Sequence, residues 1–362
     1  MWQGREIVLC ALAVLAGNVL GDVLSLPPFV FWALSLLVAG VACWRPLLSL
    51  PLAGRSPVWP LLAFLLLGAA AVQVERMPPV PPPSALMDWA GRCKGSFSAW
   101  LGRILPAGDE LAVSRALAIG DKTGLPRDLR SAYRESGAMH LLALSGLHVG
   151  LIYALLGWLL RPLGGHREMR LLRSVFVLGL LWTYALITGL SASISRAVLM
   201  ITFYEVSGLL SGDRDGLSAL AGSALLLMLL RPESPRDIGF QLSYTAVLSI
   251  LLLHPWLSGR LKTRSRLLAR IWELLSVSLC CQATCGVLAW FYFGTFPRYF
   301  LLTTLLVIPL TTAVLYAIAA AVGTAALTLL LPFLAPVSTA AADRLRWLLH
   351  LLNTVIRLIA EL

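Results

Sequence analysis

The chain has 362 residues, of which 58% are hydrophobic and only 13% are charged. Its mean hydropathy of +0.82 lies far above that of soluble globular domains, and this class of protein is therefore excluded. The formal net charge of +11 would suit nucleic acid or anionic lipid, but the placement of the basic residues has to be explained first.

Long apolar runs predict an all-α polytopic integral membrane protein with about 10–11 transmembrane helices of about 20 residues each, together with amphipathic interfacial helices. The runs lie at 6–22, 28–43, 57–74, 139–160, 174–190, 193–210, 216–230, 239–257, 272–293, 300–322 and 323–336. They divide the chain into N-terminal transmembrane helices (1–74), an outward-facing Pro-rich spacer with interfacial helices (75–137), a transmembrane bundle (138–336) and a C-terminal amphipathic helix (337–362).

Basic residues gather in alternate loops between these predicted spans. The densest run is GRLKTRSRLLAR at 259–270, and a second group lies at 161–173. Because positive loops remain in the cytoplasm, this alternation predicts a cytoplasmic N-terminus. The segment 75–138 is then expected to face outward.

The segments outside the spans carry their own signals. The run PPVPPP, Pro78–Pro83, ends any helix that precedes it. After it, 85–104 predicts an amphipathic helix on the membrane surface, and 109–117 predicts a short helix that Gly120 ends. The last 26 residues predict a surface-lying helix with Ser338 or Thr339 as its cap. Its polar face is formed by Arg346, His350, Asn353, Arg357 and Glu361.

The stretch MHLLALSGLHVGLIYALL, 139–156, predicts an apolar helix with a polar edge. At about 100° per residue, Ser145 and His148 share one side, whereas His140 lies some two turns away. Gly146 and Gly150 form a GxxxG pattern that favours close approach of a neighbouring helix. Polar groups in a membrane usually face an interior path, so the edge predicts a channel lining. Hydrogen bonding between helices, without any transport role, is the alternative.

A second polar helix is predicted in RDIGFQLSYTAVLSI. Asp237 is placed to cap its first turn, and Gln241, Thr245 and Ser249 recur every four residues, with Ser243 beside them. A buried glutamine is costly in lipid unless it is hydrogen-bonded. The stripe is therefore expected to face the polar edge of 139–156.

Three further features leave alternatives open. Arg196 lies near the start of a span, where it either snorkels to the interface or lines a pore. Pro309 is expected to break its span, either beside a cavity or as a simple kink. Cys281 and Cys285 share a helix face, but no histidine or carboxylate lies near them in sequence, so they are interpreted as small core residues. No metal and no cofactor are expected.

Five strings in this order resemble the membrane domain of the ComEC family, the inner-membrane channel for DNA uptake in natural transformation. They are ALAIGDKTGLP, SGAMHLLALSGLHVGLI, RAVLM, RDIGFQLSYTAVLSI and WFYFGTFPRYFLLTTLLVIPL, and they cover about 111–310. The resemblance implies that one DNA strand passes into the cytoplasm. The positions that match its motifs are His140, Ser145, Gly146, His148, Arg196, Asp237, Gln241, Ser243 and Pro309.

The sequence also departs from this family. Relatives carry an outward OB-like domain and often a metallo-β-lactamase-like domain, and neither is recognisable here, so strand degradation is not assigned and the chain is not expected to be an enzyme. Thr304 stands where the family has Asn.

The expected partners are single-stranded DNA, membrane lipids, and a separate DNA receptor, nuclease and cytoplasmic translocation motor; homo-oligomerisation is left open. The expected location is the bacterial inner membrane, as a multi-pass protein. The alternative functions are a small-solute permease and an intramembrane serine protease.

Overall fold

The computed structural model describes residues 4–24, 58–75, 84–163, 166–212, 214–261, 264–294 and 300–361. Throughout this part of the chain the regular structure is helical and no strand is present, which confirms the all-α prediction. The predicted span at 28–43 and the proline run Pro78–Pro83 lie outside the described residues.

The α-helices of the described part are numbered here in chain order. They are α1 (Gly4–Leu24), α2 (Val58–Glu75), α3 (Ser84–Ile104), α4 (Asp109–Ile119), α5 (Arg127–Glu135), α6 (Gly146–Leu159), α7 (Arg167–Ile187), α8 (Ala192–Ser211), α9 (Gly216–Leu230), α10 (Ile238–Ser258), α11 (Arg266–Cys281), α12 (Val287–Phe293), α13 (Phe300–Leu330) and α14 (Ala335–Ala360). A π-helical segment, Gln282–Gly286, joins α11 to α12.

Among the described residues, five helices are long and apolar enough to cross a bilayer. They are Glu168–Ile187, Ala192–Leu210, Ile238–Ser258, Arg266–Phe293 and Phe300–Leu330. Shorter apolar helices coincide with the predicted spans at 6–22, 57–74, 139–160 and 216–230. The chain is therefore a polytopic membrane protein, and the number of its spans stays a prediction.

Three sequence predictions about helix limits are wrong. The span at 139–160 begins only at Gly146. The spans at 300–322 and 323–336 form one helix, Phe300–Leu330, and Pro309 lies within it without a break. Proline removes one backbone donor, but the helix buries Val307 and Val314 in the protein, and packing of this kind holds a proline-containing helix together.

The described residues fall into two compact units. The first lies within Met1–Pro82 and Leu199–Leu251, and the second within Pro83–Val198 and Leu252–Leu362. The four-part division expected from the sequence follows composition along the chain, and it stays a prediction.

In the first unit, α1 and α2 pack against each other through glycines. A Cβ atom added at Gly17 would overlap the carbonyl oxygen of Leu65, and one at Gly21 would lie 2.5 Å from that of Ala69. On α2, a Cβ at Gly68 would overlap the backbone of α1. Gly17 and Gly21 form a GxxxG pattern, which allows two helix backbones to approach closely.

In the second unit, α13 and α14 surround a core with α4 and α5. Leu345, Leu349 and Leu352 of α14 are fully buried in it. Asn353, expected on the polar face, is also buried, and its Oδ1 accepts a hydrogen bond of 3.3 Å from the Tyr133 hydroxyl. The predicted C-terminal helix is therefore present, but it packs its leucines on protein, and it begins at Ala335 rather than at a Ser338 or Thr339 cap.

We expect Gly17→Leu to destabilise the first unit by about 1–3 kcal/mol, because the new side chain overlaps the backbone of α2. Thermal unfolding of the detergent-solubilised protein measures the effect. Gly179→Leu is the matched control, since no described atom lies within 4 Å of a Cβ at that position. Equal unfolding midpoints for the two variants would contradict the close α1–α2 contact.

Candidate functional site

The segment between α5 and α6 is a bent, non-helical connection anchored by buried leucines. Gly137 has a φ of 74°, which only glycine adopts without strain, and it is followed by a single 3₁₀ turn, Ala138–His140. Leu141 and Leu142 are then buried in the core. His140 therefore does not lie on α6, and its Nδ1 contacts the carbonyl of Gly137 at 3.0 Å. The prediction of one helix over 139–156 is therefore wrong for its first seven residues.

Ser145 and His148 are brought together at the start of α6 as a capping box. Ser145 has extended backbone angles and is the N-cap residue. Its backbone N–H donates to His148 Nδ1 at 3.3 Å, and its Oγ lies 3.0 Å from the same nitrogen. Because a backbone N–H only donates, Nδ1 must be the acceptor. The neutral imidazole therefore carries its proton on Nε2.

The Nε2–H group of His148 is a buried donor that no described residue satisfies. The side chain is only 1% exposed, and Nε2 has no hydrogen-bond partner. Leaving such a group unpaired costs about 1–3 kcal/mol. A buried donor of this kind requires an acceptor outside the described residues, such as a water molecule or a ligand group.

The N-terminus of α6 lies beside the second turn of α8. A Cβ at Gly146 would lie 3.6 Å from the Cβ of Ala197, an ordinary contact. The turn that precedes α8 is sharp, because Gly189 (φ 80°) and Leu190 (φ 50°) both have positive φ angles. A non-glycine residue in this region is strained, and such strain gathers at functional sites.

The first turn of α8 also presents polar groups. Ser191 accepts the first helical bond, from Ser195, and its own hydroxyl is buried without a partner among the described residues. Arg196, one turn further along α8, is only 7% exposed. Its guanidinium is therefore buried rather than extended into solvent, and the snorkelling interpretation is wrong for this side chain.

Three other contacts of the second unit lie around this segment. Gly120 makes room for Leu144, whose Cδ1 would lie 2.6 Å from a Cβ added there. The Tyr184 hydroxyl donates to the carbonyl of Ala118 at 3.0 Å, and Thr303 donates to that of Ser136 at 2.6 Å. The motif strings that begin at residues 116, 136 and 290 are thus in contact within the second unit.

The loop after α4 is held by a local turn. Thr123 donates its hydroxyl and its backbone N–H to Asp121 Oδ1, at 2.7 and 3.1 Å. These two hydrogen bonds hold the pKa of Asp121 below its ordinary value. The carboxylate is therefore ionised at neutral pH and stabilises this turn.

In the first unit, Asp237 caps α10 as predicted. Its carboxylate accepts from the backbone N–H groups of Gly239 and Phe240, each at 3.1 Å. Gln241 donates through Nε2 to the carbonyl of Pro235 at 2.8 Å. The sequence-based cap is therefore confirmed, and the glutamine finds a partner within its own unit.

The rest of the α10 stripe is partly or fully buried. Ser243 and Thr245 are half-buried. Ser249 is only 3% exposed, and its Oγ has no hydrogen-bond partner among the described residues. That the stripe faces the polar edge of 139–156 stays a prediction.

One further assignment needs correction, and two residues were missed. Within the described part of the chain, no atom of another helix lies within 4 Å of a Cβ added at Gly150. The prediction that Gly150 allows close approach of a neighbouring helix is therefore wrong for these residues. The tight GxxxG contact belongs to Gly17 and Gly21 instead. The strained turn at Leu190 and the buried hydroxyl of Ser191 were not predicted, although Gly-Leu-Ser between two apolar runs is a turn signal.

No group of three or more histidine, cysteine, aspartate or glutamate side chains in the described residues is arranged to hold a metal ion. The described cysteines, including Cys281 and Cys285, form no disulfide. The candidate site therefore consists of hydrogen-bond donors, hydroxyls and one guanidinium.

Most of this chain is similar to a known protein family. The family model "Competence protein" matches residues 117–362. The ComE operon protein 3 of Bacillus subtilis is 34% identical over 144 residues, which are 40% of this chain and 18% of that protein. The competence protein ComA of Neisseria gonorrhoeae is 30% identical over 152 residues, 40% of this chain and 21% of that protein.

Recombination protein 2 of Haemophilus influenzae is 28% identical over 141 residues, 38% of this chain and 18% of that protein. The chain thus matches only about a fifth of the length of these relatives. No solved structure matches it.

We expect Ser145→Ala to destabilise the protein by about 1 kcal/mol, because the N-cap side chain is lost. Ser145→Asn should retain most of the stability, since asparagine is also a good cap. Thermal unfolding measures both variants, with Ser96→Ala as control, because Ser96 is an exposed helical serine. If Ser145→Ala and Ser96→Ala unfold alike, the capping interaction is not what fixes the start of α6.

Proposed function

This chain belongs to the ComEC family of competence proteins, since the family model covers most of it, and from that membership we propose that it forms an inner-membrane channel for DNA uptake. In this role it passes single-stranded DNA into the bacterial cytoplasm during natural transformation. The long apolar helices fit a multi-pass protein of this kind. The cytoplasmic N-terminus and the outward-facing segment 75–137 are part of the proposal.

The observation that carries the proposal is the group of donors at the start of α6 and α8. His148 offers a buried Nε2–H, Ser191 offers a buried hydroxyl, and Arg196 adds a buried positive charge. Helix N-termini carry partial positive charge, and backbone N–H groups there suit anionic oxygens. In membrane transporters, such helix ends point toward anionic groups of the substrate.

This chemistry suits a moving polyanion. A strand crossing the membrane needs relief of its phosphate charge, but a row of fixed cations would hold it too tightly to leave. Neutral donors give weaker contacts than charged ones. One guanidinium with several neutral donors therefore stabilises each phosphate briefly. We propose the same transient role for the amide of Gln241 and the hydroxyls of Ser243, Thr245 and Ser249.

The partners follow from the same proposal. A separate receptor delivers DNA, a separate nuclease removes one strand, and a cytoplasmic motor draws the other inward. The two alternatives are weaker. A solute permease would use the same donors on a small anion, and a serine protease would need a third group to orient His148, whereas its Nδ1 is occupied by the cap.

We expect Ser145→Leu, His148→Leu and Gln241→Leu each to lower uptake of labelled DNA, because each removes a polar group from the proposed path. Loss of a buried donor worth about 1–3 kcal/mol corresponds to a fall of about 5- to 150-fold. The assay complements a deletion strain, and Ser96→Leu is the control at an exposed position. Wild-type uptake by all three variants at normal expression would contradict the proposal.

A pair of conservative variants separates transport from folding. Asparagine at His148 places an acceptor near the position of Nδ1 and can retain the cap, whereas glutamine places a donor near Nε2. We expect His148→Asn to keep the unfolding temperature but lower uptake, and His148→Gln to restore uptake in part. If the two variants instead rank in uptake as they rank in thermal stability, His148 serves only the fold.

A further inference from the structure

Helix α5 carries three exposed arginines on one side. Arg127, Arg130 and Arg134 stand at positions i, i+3 and i+7 and are all exposed. At about 100° and 1.5 Å per residue, they lie within an arc of about 60° and are spaced about 4.5 and 6 Å along the axis. We call these three side chains the arginine ridge.

The opposite side of α5 is fixed to the protein. Leu129 is fully buried and Tyr133 is 1% exposed in the core that α14 shares. The Tyr133 hydroxyl donates to Asn353 of that helix. The ridge is therefore presented by an anchored helix, so that little conformational entropy is lost when a ligand binds.

The two acidic residues of α5 contact groups other than the ridge. Asp128 pairs with Arg357 at 3.3 Å, and Glu135 accepts a hydrogen bond from Ser131 at 2.9 Å. Arg130 donates to the carbonyl of Lys122 at 3.3 Å. Among the described residues, none of the ridge arginines forms an ion pair with a carboxylate. Three guanidinium groups thus remain available to an anion.

We propose that the arginine ridge binds the phosphate backbone of single-stranded DNA, as a docking surface that precedes passage through the second unit. The inference rests on the proposed function, and it assigns DNA capture to a surface that the motif strings do not include. Guanidinium groups bind phosphate oxygens through paired N–H donors. Their spacing allows each to meet a separate phosphate of an extended strand.

The composition of α5 favours nucleic acid over a lipid surface. Its exposed residues are all polar or charged, and its apolar residues, Leu129, Ala132 and Tyr133, are all buried in protein. A helix that lies in a membrane interface places apolar side chains beside its cations. The ridge has none to insert. Because no aromatic ring lies on this face either, binding should follow the backbone and tolerate any sequence.

The test measures binding of a fluorescent thymidine oligonucleotide to the full chain in nanodiscs of neutral lipid. We expect the triple variant Arg127→Gln, Arg130→Gln, Arg134→Gln to bind at least about tenfold more weakly at low salt. The slope of log K against log salt should become shallower by about 2, since each phosphate contact contributes about 0.7. Asp128→Asn should strengthen binding, because it removes the carboxylate that follows Arg127 in the sequence.

The control carries the same change in charge at three other exposed arginines, Arg92→Gln, Arg344→Gln and Arg346→Gln. It should bind nearly as the wild type does. Thermal unfolding checks that both triple variants are folded. The inference is overturned if the two triple variants bind alike, if the salt slope is unchanged, or if the ridge variant loses binding only to phosphatidylglycerol vesicles.

Failure of the inference differs from failure of the proposed channel. If the ridge variant binds and takes up DNA normally while His148→Asn still lowers uptake, the ridge is wrong and the channel stands. If the ridge variant loses oligonucleotide binding while His148→Asn, His148→Leu and Gln241→Leu take up DNA normally, the proposed path is wrong although the surface binds DNA.

Discussion

The hydrogen bonds between Ser145 and His148 fix where α6 begins, and the contacts among three motif strings of the second unit depend on that position. A backbone that leaves helical geometry among apolar side chains must find partners for its polar groups. Here the Ser145 N–H is satisfied by His148 Nδ1, and the Ser136 carbonyl by Thr303. Were the helix to begin earlier, Leu144 would be carried around its axis and away from Gly120, against which it now packs.

The same two residues show how a structural interaction produces a chemical one. Because Nδ1 accepts from the backbone, the imidazole must present its proton on Nε2, in a buried position. The cap thus orients a donor that the fold itself does not use. Beside it, the strained Leu190 turn starts α8 with the hydroxyl of Ser191 buried. The polar chemistry of the site comes from helix ends rather than from a stripe along one helix.

This distinction explains what the sequence could predict. Long apolar runs located α7, α8 and α10 well, because hydropathy and length are sufficient for a spanning helix. Asp237 was recognised as a cap because a carboxylate directly precedes an apolar run. The start of α6 was missed because 139–145 is as apolar as the helix that follows it. Periodicity reports which face is apolar, but it does not report whether the segment is helical.

The sequence did not predict which glycines pack against another helix or whether Asn353 is buried, because both depend on contacts between distant parts of the chain. A GxxxG pattern occurs at Gly17–Gly21 and at Gly146–Gly150, and the sequence does not show which pair another helix approaches. The structure places the tight contact at Gly17 and leaves Gly150 open within the described residues. Asn353 looked like part of a polar face, but it is buried because the Tyr133 hydroxyl reaches it from 220 residues away in sequence. Contacts at such separation leave no local pattern.

The difference between the arginine ridge and the buried site has an electrostatic reason. Exposed charges act through water and salt, where each contact is weak, so several cations are needed to hold a strand. In an apolar interior the same charge acts over a lower effective dielectric, and one guanidinium has a much larger effect. In the function proposed above, the three exposed arginines on α5 would capture the strand in water, and the buried Arg196 on α8 would act during its passage. A buried row of cations would favour binding at the expense of passage, because a strand held at every step does not leave.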